Sequence, residues 1–166
     1  MLKYNAIREV VKMQKAMKEK VELGIDERQY SVYTFGMQTL TEVFPNTEHG
    51  TVPAKEVAEG IHQVLKVLHV SKRVLAHGLG LSESFLNRML TRKKGTYKAE
   101  TLRPLRRAAR LIEETQKTLS PEGVPFWLNH PNPYLNNLPP VMCMRSDAEV
   151  DRALTQLYAI RYGMPA

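Results

Sequence analysis

At 166 residues and a net charge of +7, the chain is long enough to bury a core and carries a clear excess of cations. Its 43% hydrophobic and 25% charged residues are ordinary for a folded domain, which excludes wholesale disorder, and no apolar run reaches the length of a membrane span. The opening residues, Met1 to Asn5, lack a signal-peptide core, and the single cysteine, Cys143, excludes an internal disulfide; both point to a reducing cytoplasm.

Taken in order, residues 1–22 read as an amphipathic helix, with Leu2, Ala6, Val10, Met13, Met17 and Val21 at spacings of three and four. Glu9, Glu19 and Glu22 dilute its positive charge and no aromatic wedge is present, so packing or dimerisation is a better use for it than a membrane surface. Residues 26–44 fit two periods. Tyr33, Met37, Leu40 and Phe44 make a helical stripe, and Tyr33, Phe35 and Met37 a strand alternation; a helix is expected. Residues 1–50 are thus an N-terminal helical extension without an assigned role. Pro45 to Gly50 is a turn-rich linker, and Pro53 suits the first turn of a helix running to His69, with Val57, Ile61, Val64, Leu65 and Leu68 inward.

The stretch from Lys72 to Thr91 has the layout of a helix-turn-helix. Leu75, Ala76 and Leu79 share one face of a first helix, Ser71 is placed to cap it, and Ala76 is the small residue where two helices cross. Gly80 stands at the corner, Ser82 caps the second helix, and Leu86 and Met89 point back inward. Ser82, Glu83, Ser84, Asn87, Arg88 and Thr91 would then face a DNA groove, with Arg92, Lys93 and Lys94 behind them for phosphates. Charge agrees with this. Between Lys72 and Arg110 there are eleven basic residues against Glu83 and Glu100, an excess of +9 that surpasses that of the whole chain. A helical hairpin with a solvated basic face is the bland alternative; the coincidence of the two features favours double-stranded DNA.

Beyond the Lys93–Tyr97 turn, Leu102, Leu105, Ala109, Ile112 and Leu119 mark a long helix, which Pro104 tolerates only near its start, so it begins near Thr101. Ser120 to Gly123 breaks it. A short Phe126-Trp127-Leu128 segment and a proline- and asparagine-rich connector follow. The last helix opens on Ser146 and Glu149, a capping box, buries Val150, Ala153, Leu154, Leu157 and Ile160, and ends at Gly163. The expectation is an all-α chain: a helix-turn-helix domain over 51–119 and a small helical domain over 120–166.

No catalytic chemistry is legible. Gly78 and Gly80 belong to the turn rather than to a phosphate-cradling loop, and the five histidines never fall at i, i+4 on one helix, so neither a cofactor nor a metal is expected. Cys143 reads as a buried apolar thiol, and Asp147, Glu149 and Asp151 as charges favoured by a helix N-terminus. An enzyme is not the expected reading.

The order Trp127-Leu128, Pro131-Asn132, Leu135, Pro139 or Pro140, Val141, Asp147, Val150, Leu154, Ile160 and Gly163 resembles the toxin-binding domain of the MbcA/ParS/Xre antitoxins. Those proteins carry an Xre-like helical domain upstream, and the resemblance covers residues 53–166. It implies an antitoxin of a type II toxin–antitoxin pair that represses its own operator. Its partner would be a RES-type toxin that consumes NAD or transfers ADP-ribose from it. The resemblance also implies that the last helix and tail cover the toxin's active site, with Tyr158, Arg161, Tyr162, Gly163 and Met164 nearest the cleft and Trp127 as the structural anchor; Arg152, like Arg161, is a cation suited to a pocket for a phosphate-bearing dinucleotide. Arginines and tyrosines are the residue types expected at such a contact. A homodimer or larger assembly is expected, because one recognition helix reads few base pairs. The alternative is a stand-alone helix-turn-helix regulator whose C-terminal segment dimerises.

Overall fold

The computed structural model describes residues 40–44 and 49–163. The expected helix over 1–22, and all but the end of that over 26–44, lie outside the described residues. What is described of the latter is the turn α1 (Leu40–Val43), which with Phe44 buries Leu40 and Val43 against the core. There follow β1 (Thr51–Pro53), α2 (Ala54–Leu68), α3 (Lys72–Leu79), α4 (Glu83–Thr91) and β2 (Thr96–Lys98). After a 3-10 turn (Ala99–Leu102) come α5 (Arg103–Thr118) and α6 (Gly123–Asn129), and after two further 3-10 turns (Pro133–Leu135 and Pro140–Met142), α7 (Asp147–Tyr162).

The fold is predominantly helical, and the all-α expectation needs one correction. β1 and β2 form a two-stranded antiparallel ribbon in which Thr51, Val52 and Pro53 face Lys98, Tyr97 and Thr96. Hydrogen bonds from Ala54 N–H to the Gly95 carbonyl (2.9 Å) and from Ala99 N–H to the Gly50 carbonyl (3.0 Å) close it at both ends. Pro53, expected inside the first turn of α2, is the last strand residue and the helix N-cap. Strands of three residues are too short to show a period of two, so periodicity gave no warning of them.

α2 buries Val57, Ile61, Val64 and Leu68, and its Gly60 admits Val43 and Phe44 where any Cβ would collide with their side chains. Its C-terminal carbonyl at Leu68 accepts from Asn129 Nδ2 at 2.7 Å, which seats α6 across the helix end. α6 is itself a correction, because Phe126, Trp127 and Leu128 lie within a full helix. Its start is marked by Ser120, whose Oγ accepts from Gly123 N–H and whose carbonyl accepts from Val124 N–H. Trp127 is buried, with its indole N–H lacking a hydrogen-bond partner among the described residues.

α5 opens with Pro104 in its first turn, where a missing N–H costs nothing, and buries Leu105, Ala108, Ala109, Leu111 and Ile112. α7 lies along it. Ion pairs Arg103–Asp147 (2.8 Å) and Arg110–Asp151 (2.9 Å) join the two helices, and Arg107 between them donates to the carbonyls of Met144 (2.9 Å) and Arg145 (2.6 Å). Both pairs are half exposed, so each contributes only ~0–1 kcal/mol and their main effect is to set register. The buried apolar cluster runs from Leu40 through Leu157, drawing on residues both before and after position 119.

Candidate functional site

α3 and α4 are short helices that owe their ends to side chains close in sequence. Ser71 Oγ accepts from Val74 N–H at 3.3 Å and Ser82 Oγ from Phe85 N–H at 3.2 Å, capping both N-termini. Gly80 takes φ +71° at the α3 C-cap, a conformation costly for a residue with a Cβ, and Leu81 N–H returns to the Ala76 carbonyl at 2.9 Å. Ala76 is buried. Leu86 and Met89 are fully buried, each worth about 1.5–3 kcal/mol of burial, and they fix which face of α4 points out.

That outward face carries Ser84, Asn87, Arg88 and Thr91, all exposed, at the spacing of one helical stripe. The remaining expected contacts divide. Ser82 is occupied as a cap, and Glu83 pairs with Arg73 at 3.5 Å. Thr91 Oγ1 donates to the Asn87 carbonyl at 2.9 Å, while the Arg88 guanidinium lies 5.2 Å from the Phe85 ring centroid. Lys93 and Lys94 are exposed on the loop after α4, whereas Arg92 folds back, donating from Nε to the Lys94 carbonyl at 2.9 Å.

The basic block between Lys72 and Arg110 is likewise not one surface. Arg103 and Arg110 pair with α7, Arg107 holds the two carbonyls that lead into it, and Arg106 donates to the Ala99 carbonyl at 3.2 Å. Four of the eleven cations are therefore engaged within the chain, Arg103 and Arg110 through ion pairs that stay half exposed. Lys72, Arg73, Arg88, Lys93, Lys94 and Lys98 stay exposed around α3, α4 and the ribbon.

At the other end, α7 closes on Gly163 (φ +63°), whose N–H donates to the Ala159 carbonyl. Arg161 and Tyr162 are exposed, the Arg161 guanidinium 5.6 Å over the Tyr162 ring. Tyr158 is half-buried and donates its hydroxyl to Glu114 Oε2 at 3.0 Å, with its ring 6.4 Å from that of Tyr162. Arg152 is exposed, but nine positions along an α-helix put it on roughly the opposite face from Arg161. The expected contact set is thus one cluster at the last turn plus an outlying arginine; Met164 lies outside the described residues.

Sequence reasoning missed the residues that join these two regions. Gly78 is helical and buried rather than part of the turn, and a Cβ there would run into the carbonyl oxygen of Val141. Arg145 reaches back to His77. No local pattern signals either contact. Among the described residues no group of histidine, cysteine or carboxylate side chains could hold a metal, and no helix is long and apolar enough to cross a membrane. Cys143 is buried, and that burial raises its thiol pKa above the ordinary 9.0.

No protein-family model and no curated protein matches the chain. A solved structure with a similar backbone is one chain of the M. tuberculosis MbcT–MbcA toxin–antitoxin complex, at 17% identity and a TM-score of 0.48, covering 66% of this chain and 96% of that one. That is a weak structural likeness, and it bears on neither activity nor partner.

Proposed function

We propose that the protein is a DNA-binding antitoxin that reads duplex DNA with α4 and occupies a RES-type toxin with the end of α7. The observation that carries this reading is the outward face of α4. Four exposed side chains with hydrogen-bonding ends stand on a helix capped by Ser82 and held from behind by Leu86 and Met89, with exposed lysines beside it. Base edges are read by such side chains, and phosphates position the helix that bears them. A second copy of the chain would supply the other half-site. The toxin half of the proposal rests on the residue order from Trp127 to Gly163 and on the exposed Arg161–Tyr162 pair, a cation and an aromatic free to enter a cleft shaped for a dinucleotide.

Co-expression with the product of the adjacent reading frame tests the toxin half. The two proteins are expected to co-purify, and Arg161→Ala with Tyr162→Ala is expected to abolish this without altering thermal stability, since both side chains are exposed. Truncation before α7 is the poorer test, because it strips Val150, Ala153, Leu154 and Leu157 from the core. Undiminished co-purification by the double variant would reject the assignment of the last turn.

A further inference from the structure

Arg92, Lys93 and Lys94 adjoin in sequence and all three are exposed, yet the Arg92 side chain is held by its neighbours. Besides its bond to the Lys94 carbonyl, the Arg92 guanidinium lies 5.1 Å from the Tyr97 ring centroid. It also presses on residue 95 so closely that a Cβ there would meet Nη2 at 2.5 Å; glycine at φ +87° fits this space. These contacts tie the residue that ends α4 to Lys94, Gly95 and Tyr97, across the four-residue turn (92–95) that leads into β2. The ribbon has two unlike faces. Val52 and Tyr97, cross-strand partners, are buried, while Thr51, Pro53, Thr96 and Lys98 are exposed. Lys93, Lys94 and Lys98 are cations without an acidic residue between them in sequence, and none makes an ion pair among the described residues.

We propose that the β1–β2 ribbon is a second DNA contact, a phosphate clamp beside α4 in which Lys98 and Lys94 hold the backbone and Arg92 is the positioning residue. The inference rests on the reading that α4 binds duplex DNA, and it adds Lys98 and the ribbon's outer face to that site. Exposed ammonium groups and the hydroxyls of Thr51 and Thr96 are donors suited to phosphate oxygens, which carry no sequence information. The clamp therefore adds affinity for every duplex alike. Lys98, exposed on β2 beyond the turn that ends α4, is the residue the clamp adds.

The test is fluorescence anisotropy with two duplexes of equal length, one from immediately upstream of the protein's own reading frame and one with that sequence scrambled, at a series of salt concentrations. A roughly fourfold rise in salt costs each phosphate contact about 3.5-fold in affinity. Lys98→Ala is expected to lose that share of the salt dependence on both duplexes and to leave their affinity ratio unchanged, with Lys98→Arg restoring it. Lys98→Gln, which keeps the side-chain stem, is expected to match alanine and guards against a disturbed strand. A wild-type salt slope retained in both neutral variants would overturn the clamp while leaving α4 as the DNA contact. Failure of the wild-type protein to bind either duplex would overturn the clamp and the reading beneath it together.

Discussion

The Arg145 guanidinium donates to His77 twice, from Nη2 to the ring Nε2 at 2.7 Å and from Nε to the backbone carbonyl at 3.2 Å. His77 lies in the last turn of α3 and Arg145 just before α7, so this joint links the α3–α4 pair to the helix that ends at Tyr162. Arg145→Ala is expected to cost about 1 kcal/mol in urea denaturation, a modest loss because both residues are exposed.

Gly78 makes the tighter half of the same joint. Its missing Cβ is the space into which the Val141 carbonyl fits, and the obstructing atom is backbone that cannot rotate away. Gly78→Ala is expected to destabilise the protein by about 1–3 kcal/mol although alanine is the better helix former. A gain in melting temperature would show that this contact is not close in solution.

How far the sequence revealed all this depended on the sequence distance of the partner. Ser71, Gly80, Ser82, Ser146 and Gly163 were legible because each acts on residues within a turn or two of itself, and each occupies the cap position expected. The outward stripe of α4 was legible for the same reason, since Leu86 and Met89 fix it by period. The ribbon was not, because Thr51 finds Lys98 across the whole of α2, α3 and α4. The basic block misled in a related way. Its charge was countable, but Arg103, Arg107 and Arg110 are engaged by partners that lie beyond residue 143. Nothing within either stretch records that pairing.

Glu114 offers a pH signature. Its hydrogen bond with Lys117 chiefly, aided by that from Tyr158, holds its carboxyl below the ordinary value of 4.5 against the opposing effect of burial. A depressed folded-state pKa stabilises the protein above the unfolded value, and this contribution is lost as pH falls through the folded one. Tyr158→Phe is expected to raise the Glu114 pKa toward, but not to, its ordinary value, so that the acid loss is smaller and is complete at higher pH. Titration of the Glu114 carboxyl by NMR in both proteins measures this directly; an unmoved value would mean that the Tyr158 hydroxyl is elsewhere.

Cys143 makes a fourth prediction. Burial disfavours its thiolate, with Glu149 adding to that effect, so a disulfide reagent at neutral pH is expected to react slowly with the native protein and rapidly once it is denatured. Fast native labelling would place the thiol at the surface.

The central claim is that the outward face of α4 reads bases. Arg88 is the side chain on that face best able to make a bidentate contact, and Arg88→Ala is expected to remove about 1–3 kcal/mol of preference for the upstream duplex over its scrambled counterpart, with affinity for the scrambled duplex changed far less. Competition anisotropy with the two duplexes, wild type beside variant, gives that difference in one experiment. Equal losses on both duplexes, or none on either, would contradict the assignment of α4 as the reading helix.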